Sequence, residues 1–324
     1  MKATMPRPVI GLDLGNTNLT VAVVTAEGEA LARWREANPR EAGAQASLTV
    51  VEAMLREAVR QYPVVAAVGM GFGGPVDVAT GEIRRSHHTG GWEGLRLGEW
   101  VGERLGLPAF VDNDANAGGL GEALFGAGRG SRSLLYVNVG TGIGGAVILD
   151  GCVHHGAHSN AGEIGHVVLT PEDGPVCTCG KRGCVEAWAS GDALGASARS
   201  ALAAAPVPDS TLRAIPLTEV TGRAVSEAAA RGDALALQVL EAAGRYLGVA
   251  VAAVCNVLDP ELVVIGGGVS EGHPAYLQAV DRALRDYGTR PVAQSTRLVA
   301  ALLGYEAGVI GAAAVALQAL GVVQ

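Results

Sequence analysis

Three cysteines, a histidine and several carboxylates are concentrated between residues 107 and 191 of a chain otherwise rich in Ala, Val and Gly. Cys177, Cys179 and Cys184 follow the pattern Cys-x-Cys-x4-Cys, with His166 eleven residues upstream. Thiolates and an imidazole at that spacing predict a closed, structural zinc site. Four protein ligands leave no position for a reacting water, so such a metal organises its surroundings and does not catalyse. Glu163 and Glu186 each lie within a few residues of a ligand, and carboxylates held that way can recognise hydroxyl groups. Upstream, Val111-Asp112-Asn113-Asp114-Ala115-Asn116 places acids at a predicted helix start. Asp114 is the candidate general base of the chain.

Two Gly/Thr turns point to phosphate chemistry. Asp13-Leu14-Gly15-Asn16-Thr17-Asn18 puts a carboxylate at a strand end, followed by a tight turn with a hydroxyl. Glycine permits positive φ, so backbone N–H groups there are expected to turn toward an anion. Asp13 is a candidate for Mg²⁺, usually through water, and Thr17 for phosphate oxygens. Gly140-Thr141-Gly142-Ile143-Gly144-Gly145 formally matches the dinucleotide fingerprint, but a strand and not a helix is predicted after it, which removes that motif's context. Two such turns, each inside a hairpin, are the pattern of a two-domain ATPase that holds nucleotide between duplicated halves. Gly266-Gly267-Gly268 ends a strand and leads to a helix, suiting close backbone approach to a base or ribose.

The elements that must position these residues alternate between strand and helix. Strands are predicted at 8–15, 19–24, 30–35, 64–72, 109–111, 133–139, 146–149, 261–265 and 297–302. Helices are predicted at 42–61, 95–105, 113–125, 218–231, 233–257, 274–287 and from 307 onward, and the Ala- and Pro-rich stretch 196–210 reads as a helix followed by a surface loop. Leu48, Val51, Leu55 and Val59 share one face of the first helix. The strand–turn–strand device recurs in the second half, a low-resolution internal duplication within an α/β fold. His154, His155 and His158 read as a solvated loop, Trp92 as packing, and Cys152 and Cys255 as buried small apolar residues.

The chain has 324 residues, 49% of them hydrophobic and 17% charged, with a net charge of −8. That length supports two domains with cores, and that balance indicates a compact protein. The acidic charge excludes a broad nucleic-acid surface, which needs clustered Lys and Arg. No apolar run is expected to reach membrane-spanning length, and no signal peptide is expected before the first strand. Five cysteines, three at metal spacing, fit a reducing cytoplasm better than a disulfide framework.

Taken together, the Asp13 loop, Gly71-Phe72-Gly73-Gly74-Pro75, Asp112–Asn116, Gly140–Gly145, Glu163-x-x-His166, the cysteine cluster ending in Glu186, and Gly266–Gly268 resemble the ROK family of sugar kinases, glucokinase-like members of the hexokinase–actin-like ATPase superfamily. The resemblance covers essentially the whole chain. It implies a two-domain, ribonuclease H-like α/β fold with duplicated β-hairpin phosphate loops and an interdomain cleft. The expected domains are 1–112 plus 307–324, and 113–306 with the zinc site. It implies Asp114 as catalytic base, and Asn113, Glu163, His166 and Glu186 as ligands of sugar hydroxyls. Gly74 and His88 are expected to shape the sugar pocket, His88 standing where the family often has Asn. Asp13, Gly15, Thr17, Asn18, Gly140, Thr141, Gly142, Gly266 and Gly267 are expected to bind nucleotide. Asn16 replaces the family's usual second glycine and Asn18 a frequent Lys; Asn tolerates the left-handed conformation, so the turn is expected to survive. The expected reaction transfers the γ-phosphoryl of ATP to the primary hydroxyl of a hexose, glucose first, in a zinc-stabilised, Mg²⁺-dependent cytoplasmic homodimer without nucleic-acid or membrane partners. Alternatives are an N-acylhexosamine kinase, a non-catalytic sugar-sensing regulator and, most remotely, a dinucleotide oxidoreductase.

Overall fold

Strand β1 (Val9–Leu14) pairs antiparallel with β2 (Asn18–Val24) and parallel with β4 (Val68–Phe72), and this junction carries the first site. In the computed structural model, residues 6–86, 89–204 and 209–323 are described. They divide into two units, the first comprising 6–86, 89–133, 146–162 and 305–323, the second 134–145, 163–204 and 209–304.

The first unit's sheet runs β3-β2-β1-β4-β7, with β3 at Ala30–Ala37 and β7 at Ala109–Asn113. One face is aliphatic. Ile10, Leu12, Val21, Val23, Val68 and Met70 pack there with Leu48, Val51 and Leu55 of α1 (Ala44–Gln61), the stripe that the helical spacing predicts. Trp92 joins this core edge-on to Phe72, at 5.1 Å between ring centroids. The other face is stripped of side chains where α10 (Ala307–Ala319) crosses it. A Cβ at Gly11 or Gly69 would run into the carbonyl oxygens of Val309 and Ala312. Helix α3 (Asp114–Phe125) packs beside α10, and a Cβ at Gly121 would lie 2.9 Å from the Gly311 Cα. A short hairpin of β5 (Val76–Asp77) and β6 (Glu82–Ile83) precedes α2 (Leu97–Leu105).

The second sheet repeats the scheme as β10-β9-β8-β11-β12, from β8 (Leu134–Val139), β9 (Ile143–Leu149), β10 (Cys152–Val153), β11 (Leu262–Gly266) and β12 (Arg297–Ala300). Each sheet thus has a hairpin-linked trio followed by two further strands, with parallel pairing of β1 to β4 and of β8 to β11. The duplication read from the sequence is therefore present in the strand order. Of this sheet, β8, β11, β12 and the first residues of β9 belong to the second unit, with α4 (Glu186–Ala189), α5 (Gly191–Ala204), α6 (Gly222–Ala230), α7 (Ala234–Leu258), α8 (Pro274–Tyr287) and α9 (Arg290–Ser295), while the rest of β9 and β10 fall in the first.

Several expectations are corrected. The fourth strand starts at Val68, not 64, because Tyr62–Val65 form a turn closing on α1. Strand β9 begins at Ile143, so the Gly140 turn is shorter than the glycine run suggested. Helix α7 is long and apolar enough to cross a membrane by length and composition, against the expectation that no run is. Half of its most apolar window is buried inside the structure, and its Gly244 and Gly248 approach the backbone of α8. The expected domain boundary at residue 113 differs from the observed division, since α3 and residues 146–162 fall in the first unit with α10.

Candidate active site

The pairing register lines up Arg35, Thr20, Asp13, Gly71 and Asp112 across five adjacent strands, all on the face toward α10. Asp13 is partly buried against the first turn of α10, where a Cβ on Gly308 would sit 2.7 Å from Asp13 Oδ2. Burial first, and then the charge of Asp114, push the Asp13 carboxyl up to about 7, with Arg35 opposing. Asp13, Gly15, Thr17, Asn18, Arg33 and Arg35 line a cavity of about 500 Å³. Arg33 pairs with Glu306. Neither arginine was singled out from the sequence. The signal available was the alternation of β3, which sets Arg33 and Arg35 on one face.

Asn113 is the N-cap of α3, its side-chain oxygen accepting from the N–H groups of Ala115 and Asn116. Its amide donates to the Gly74 carbonyl at 3.1 Å, fixing that loop to the cap. Asp114, the first helical residue, is exposed beside the half-buried Asn113 and the buried Ala115, and its Oδ1 accepts the Ala115 N–H at 2.8 Å. Gly73 lies beside the base candidate, since a Cβ there would stand 3.5 Å from Asp114 Oδ2. His88 lies outside the described residues.

The positive-φ expectation for the first turn is corrected. Neither Gly15 nor Asn16 has positive φ. Gly15 is demanded instead by close approach, since its Cβ would lie 2.7 Å from the Asn18 carbonyl oxygen. The loop at Gly140–Gly142 follows the same rule, because a Cβ on Gly142 would meet Glu186 Oε2 at 2.7 Å. Gly140 and Thr141 accept through their carbonyls from Gly191 and Asp192 at the start of α5, while the Thr141 side is exposed. Gly267 does take positive φ, at 91°, and its Cβ would press on Asn138 Oδ1 and the Val139 carbonyl. The Gly266–Gly267 turn therefore lies directly against the strand that leads into Gly140.

His166, Cys177, Cys179 and Cys184 converge, each offering a ligand atom within 4.8 Å of the others. Cys179 and Cys184 sulfurs are 3.7 Å apart, and Cys177 Sγ is 3.6 Å from His166 Nδ1. A zinc tetrahedron has edges of about 3.5–3.8 Å between such atoms, so the donor set fits that ion. Gly180 and Gly183 take φ of 86° and 75°, turning the chain so that three sulfurs face one point. Glu163 Oε2 lies 3.8 Å from His166 Nε2. Glu186 accepts the Ile143 N–H at 3.0 Å and the Thr178 hydroxyl at 2.7 Å, bridging the cysteine loop to the Gly140 turn.

The model of the ROK family matches residues 9–319. The chain belongs to the ROK family. A glucokinase of Halalkalibacterium halodurans is 34% identical to this ROK chain over 306 residues, covering 93% of it and 92% of the relative. The solved ROK family glucokinase from Streptomyces griseus, in complex with glucose and AMPPNP, shares 33% identity at a TM-score of 0.82, covering 94% and 98% of the two chains. A ROK hexokinase from Thermus thermophilus shares 35% identity at the same TM-score, covering 97% and 99%. The fold is accordingly the actin-like ATPase fold of ROK sugar kinases.

The residues expected to act divide between the units. Asp13, Gly15, Thr17, Asn18, Gly74, Asn113 and Asp114 belong to the first, and the zinc ligands, Glu163, Glu186 and both later glycine loops to the second. One residue of the loop read as solvated does not stay there. His155 turns inward, and its Nε2 lies 2.6 Å from Asp112 Oδ2. Cys152, expected buried, is exposed, whereas Cys255 is buried.

Proposed function

We propose that this ROK protein is an ATP-dependent glucokinase, transferring the γ-phosphoryl of ATP to the primary hydroxyl of glucose. The observation that carries the reading is Asp114: an exposed carboxylate on the first turn of a buried helix, close enough to Asp13 to raise that carboxyl's hold on its proton. Asp114 takes the hydroxyl proton as attack on phosphorus proceeds. Asn113, Glu163, His166 and Glu186 hold ring hydroxyls, with Gly74 and His88 bounding the sugar, so that the acceptor oxygen is aligned. Gly15, Thr17, Asn18, Gly140, Thr141 and Gly142 contact phosphates, and Gly266 and Gly267 the nucleoside. Asp13 would hold Mg²⁺, which would supply charge neutralisation on the phosphates. His166, Cys177, Cys179 and Cys184 hold one structural zinc, which keeps Glu163 and Glu186 oriented. The five unpaired thiols suit a reducing cytoplasm, and a homodimer is the proposed assembly. The glucokinase names of two of the relatives above, and the glucose and AMPPNP bound to the Streptomyces griseus enzyme, support the sugar and the donor.

The test is ADP release with glucose, mannose, fructose, allose, N-acetylglucosamine and N-acetylmannosamine, each with ATP and Mg²⁺. A dominant glucose rate is expected. Activity confined to an N-acyl sugar moves the substrate and keeps the chemistry, and no turnover with any sugar favours the regulatory reading.

A further inference from the structure

Asp112 stands immediately before the cap that carries Asp114, and its side chain is 4% exposed. Oδ1 accepts the Asn113 N–H at 2.7 Å and the Asn116 side-chain amide at 2.8 Å, bracing the first turn of α3 from within. Asn116 Oδ1 is buried without a partner among the described residues, so that amide's orientation rests on Asp112. Among the described residues Oδ2 has one hydrogen-bond partner, the His155 imidazole at 2.6 Å. A buried carboxylate is costly unless a donor or cation meets it, and His155 is the group supplied. The histidine is itself held in place by its loop. The His155 carbonyl accepts the Ala161 N–H, the His158 carbonyl accepts from Arg84, and Ser159 Oγ accepts the Val78 N–H.

We infer that His155 is a positioning residue for Asp114, acting through Asp112 to fix the helix cap on which the base stands. The inference rests on the assignment of Asp114 as base. Hydrogen bonding to Asp112 raises the affinity of His155 for its proton, against a smaller opposing effect of burial. The same cavity of about 340 Å³ is also lined by Glu99 of α2, the neutral Gln318 of α10 and Leu120 of α3, and Asp112 is the charged group that acts on the imidazole. A proton held more tightly in the folded state favours the braced cap below the ordinary imidazole value of 6.5. That contribution is lost as pH rises through the raised folded value. Asp112 then keeps at most a neutral hydrogen bond, and Asp114 loses its fixed orientation. The cavity beside His155 gives a longer cationic side chain room to reach the same carboxylate.

The experiment compares wild type with His155→Gln and His155→Arg between pH 6 and 9. His155→Gln is expected to lower kcat by about tenfold, with KM for ATP within about twofold, because a small misplacement of the base costs rate and not donor binding. His155→Arg is expected to keep activity, and the wild-type to His155→Arg ratio of kcat is expected to fall as pH rises above 6.5. A ratio flat with pH, or an unimpaired His155→Gln enzyme, overturns the inference. Should both variants fail to fold, NMR titration of the wild-type imidazole decides: a His155 that titrates at or below 6.5 overturns it, and one above supports it. Asp114→Asn is measured in parallel. An active Asp114→Asn enzyme defeats the base assignment, whereas an inactive one beside unaffected His155 variants defeats only the positioning role.

Discussion

Glu186 reaches the Ile143 backbone N–H at 3.0 Å, so a residue two positions beyond a cysteine ligand clamps the turn between β8 and β9. The second oxygen takes the Thr178 hydroxyl at 2.7 Å. Each charge-assisted hydrogen bond of this kind is worth about 1.5–3 kcal/mol. Glu186→Ala is therefore expected to lower kcat/KM by a factor of about 10 to 100, raising KM for both sugar and ATP. Steady-state kinetics in both substrates checks this. An effect confined to the sugar would mean that the clamp on the turn carries no functional load.

Metal analysis of purified protein is expected to find about one zinc per chain, because ligands that meet only in the folded chain convert metal binding into folding energy. Cys184 is buried at the centre of the cluster. Cys184→Ser is expected to lose the zinc and to lower Tm, with Glu186 released as a consequence. Protein stripped of metal by a chelator with unchanged Tm and rate would contradict the assignment.

Asp13 is the titrating group with the plainest consequence for stability. Its carboxyl, raised to about 7 from 3.8, holds a proton more tightly folded than unfolded. Stability of the metal-free protein contributed by this group is therefore greatest at low pH and declines as pH rises from 3.8 through about 7. Asp13→Asn removes the dependence. The variant is expected to melt above wild type at pH 8 in the absence of Mg²⁺, with the gap closing toward pH 5, while losing kinase activity. Melting curves without and with Mg²⁺ check the sign, since the ion should erase the wild type's deficit at pH 8.

The crossing of α10 over the first sheet depends on two missing side chains. A Cβ on Gly69 would collide with the Ala312 carbonyl, which belongs to backbone and cannot rotate away. Gly69→Ala is expected to cost about 3 kcal/mol by overpacking. Gly268→Ala, where nothing lies within 4 Å of the added methyl, should stay within about 1 kcal/mol. Denaturant titration of both variants measures the difference.

Much of this was local and hence readable in the chain. Thiol spacing, a strand ending in Asp-x-Gly, and Asn113-Asp114 at a helix start depend on residues within about a dozen positions, where backbone geometry decides what can meet. The convergence of His166 with three cysteines follows from Gly180 and Gly183 turning a short loop.

Other features were misread or invisible because they depend on register and close approach between distant segments. The line from Arg35 through Asp13 to Asp112 exists only once four strand pairings are set. Glycines 15 and 142 are small to admit a carbonyl and a carboxylate, and not to take positive φ as a turn composition suggests. His155 sits among three histidines that a sequence cannot rank, and only tertiary packing turns it onto a carboxylate 43 positions away. By itself the sequence determined the chemistry on offer: the acids, the Cys and His donors, the two glycine turns and the duplicated hairpins. Tertiary structure decided which acid is buried, which is exposed and which imidazole answers a buried charge, because desolvation acts on position in space and not on position in the chain.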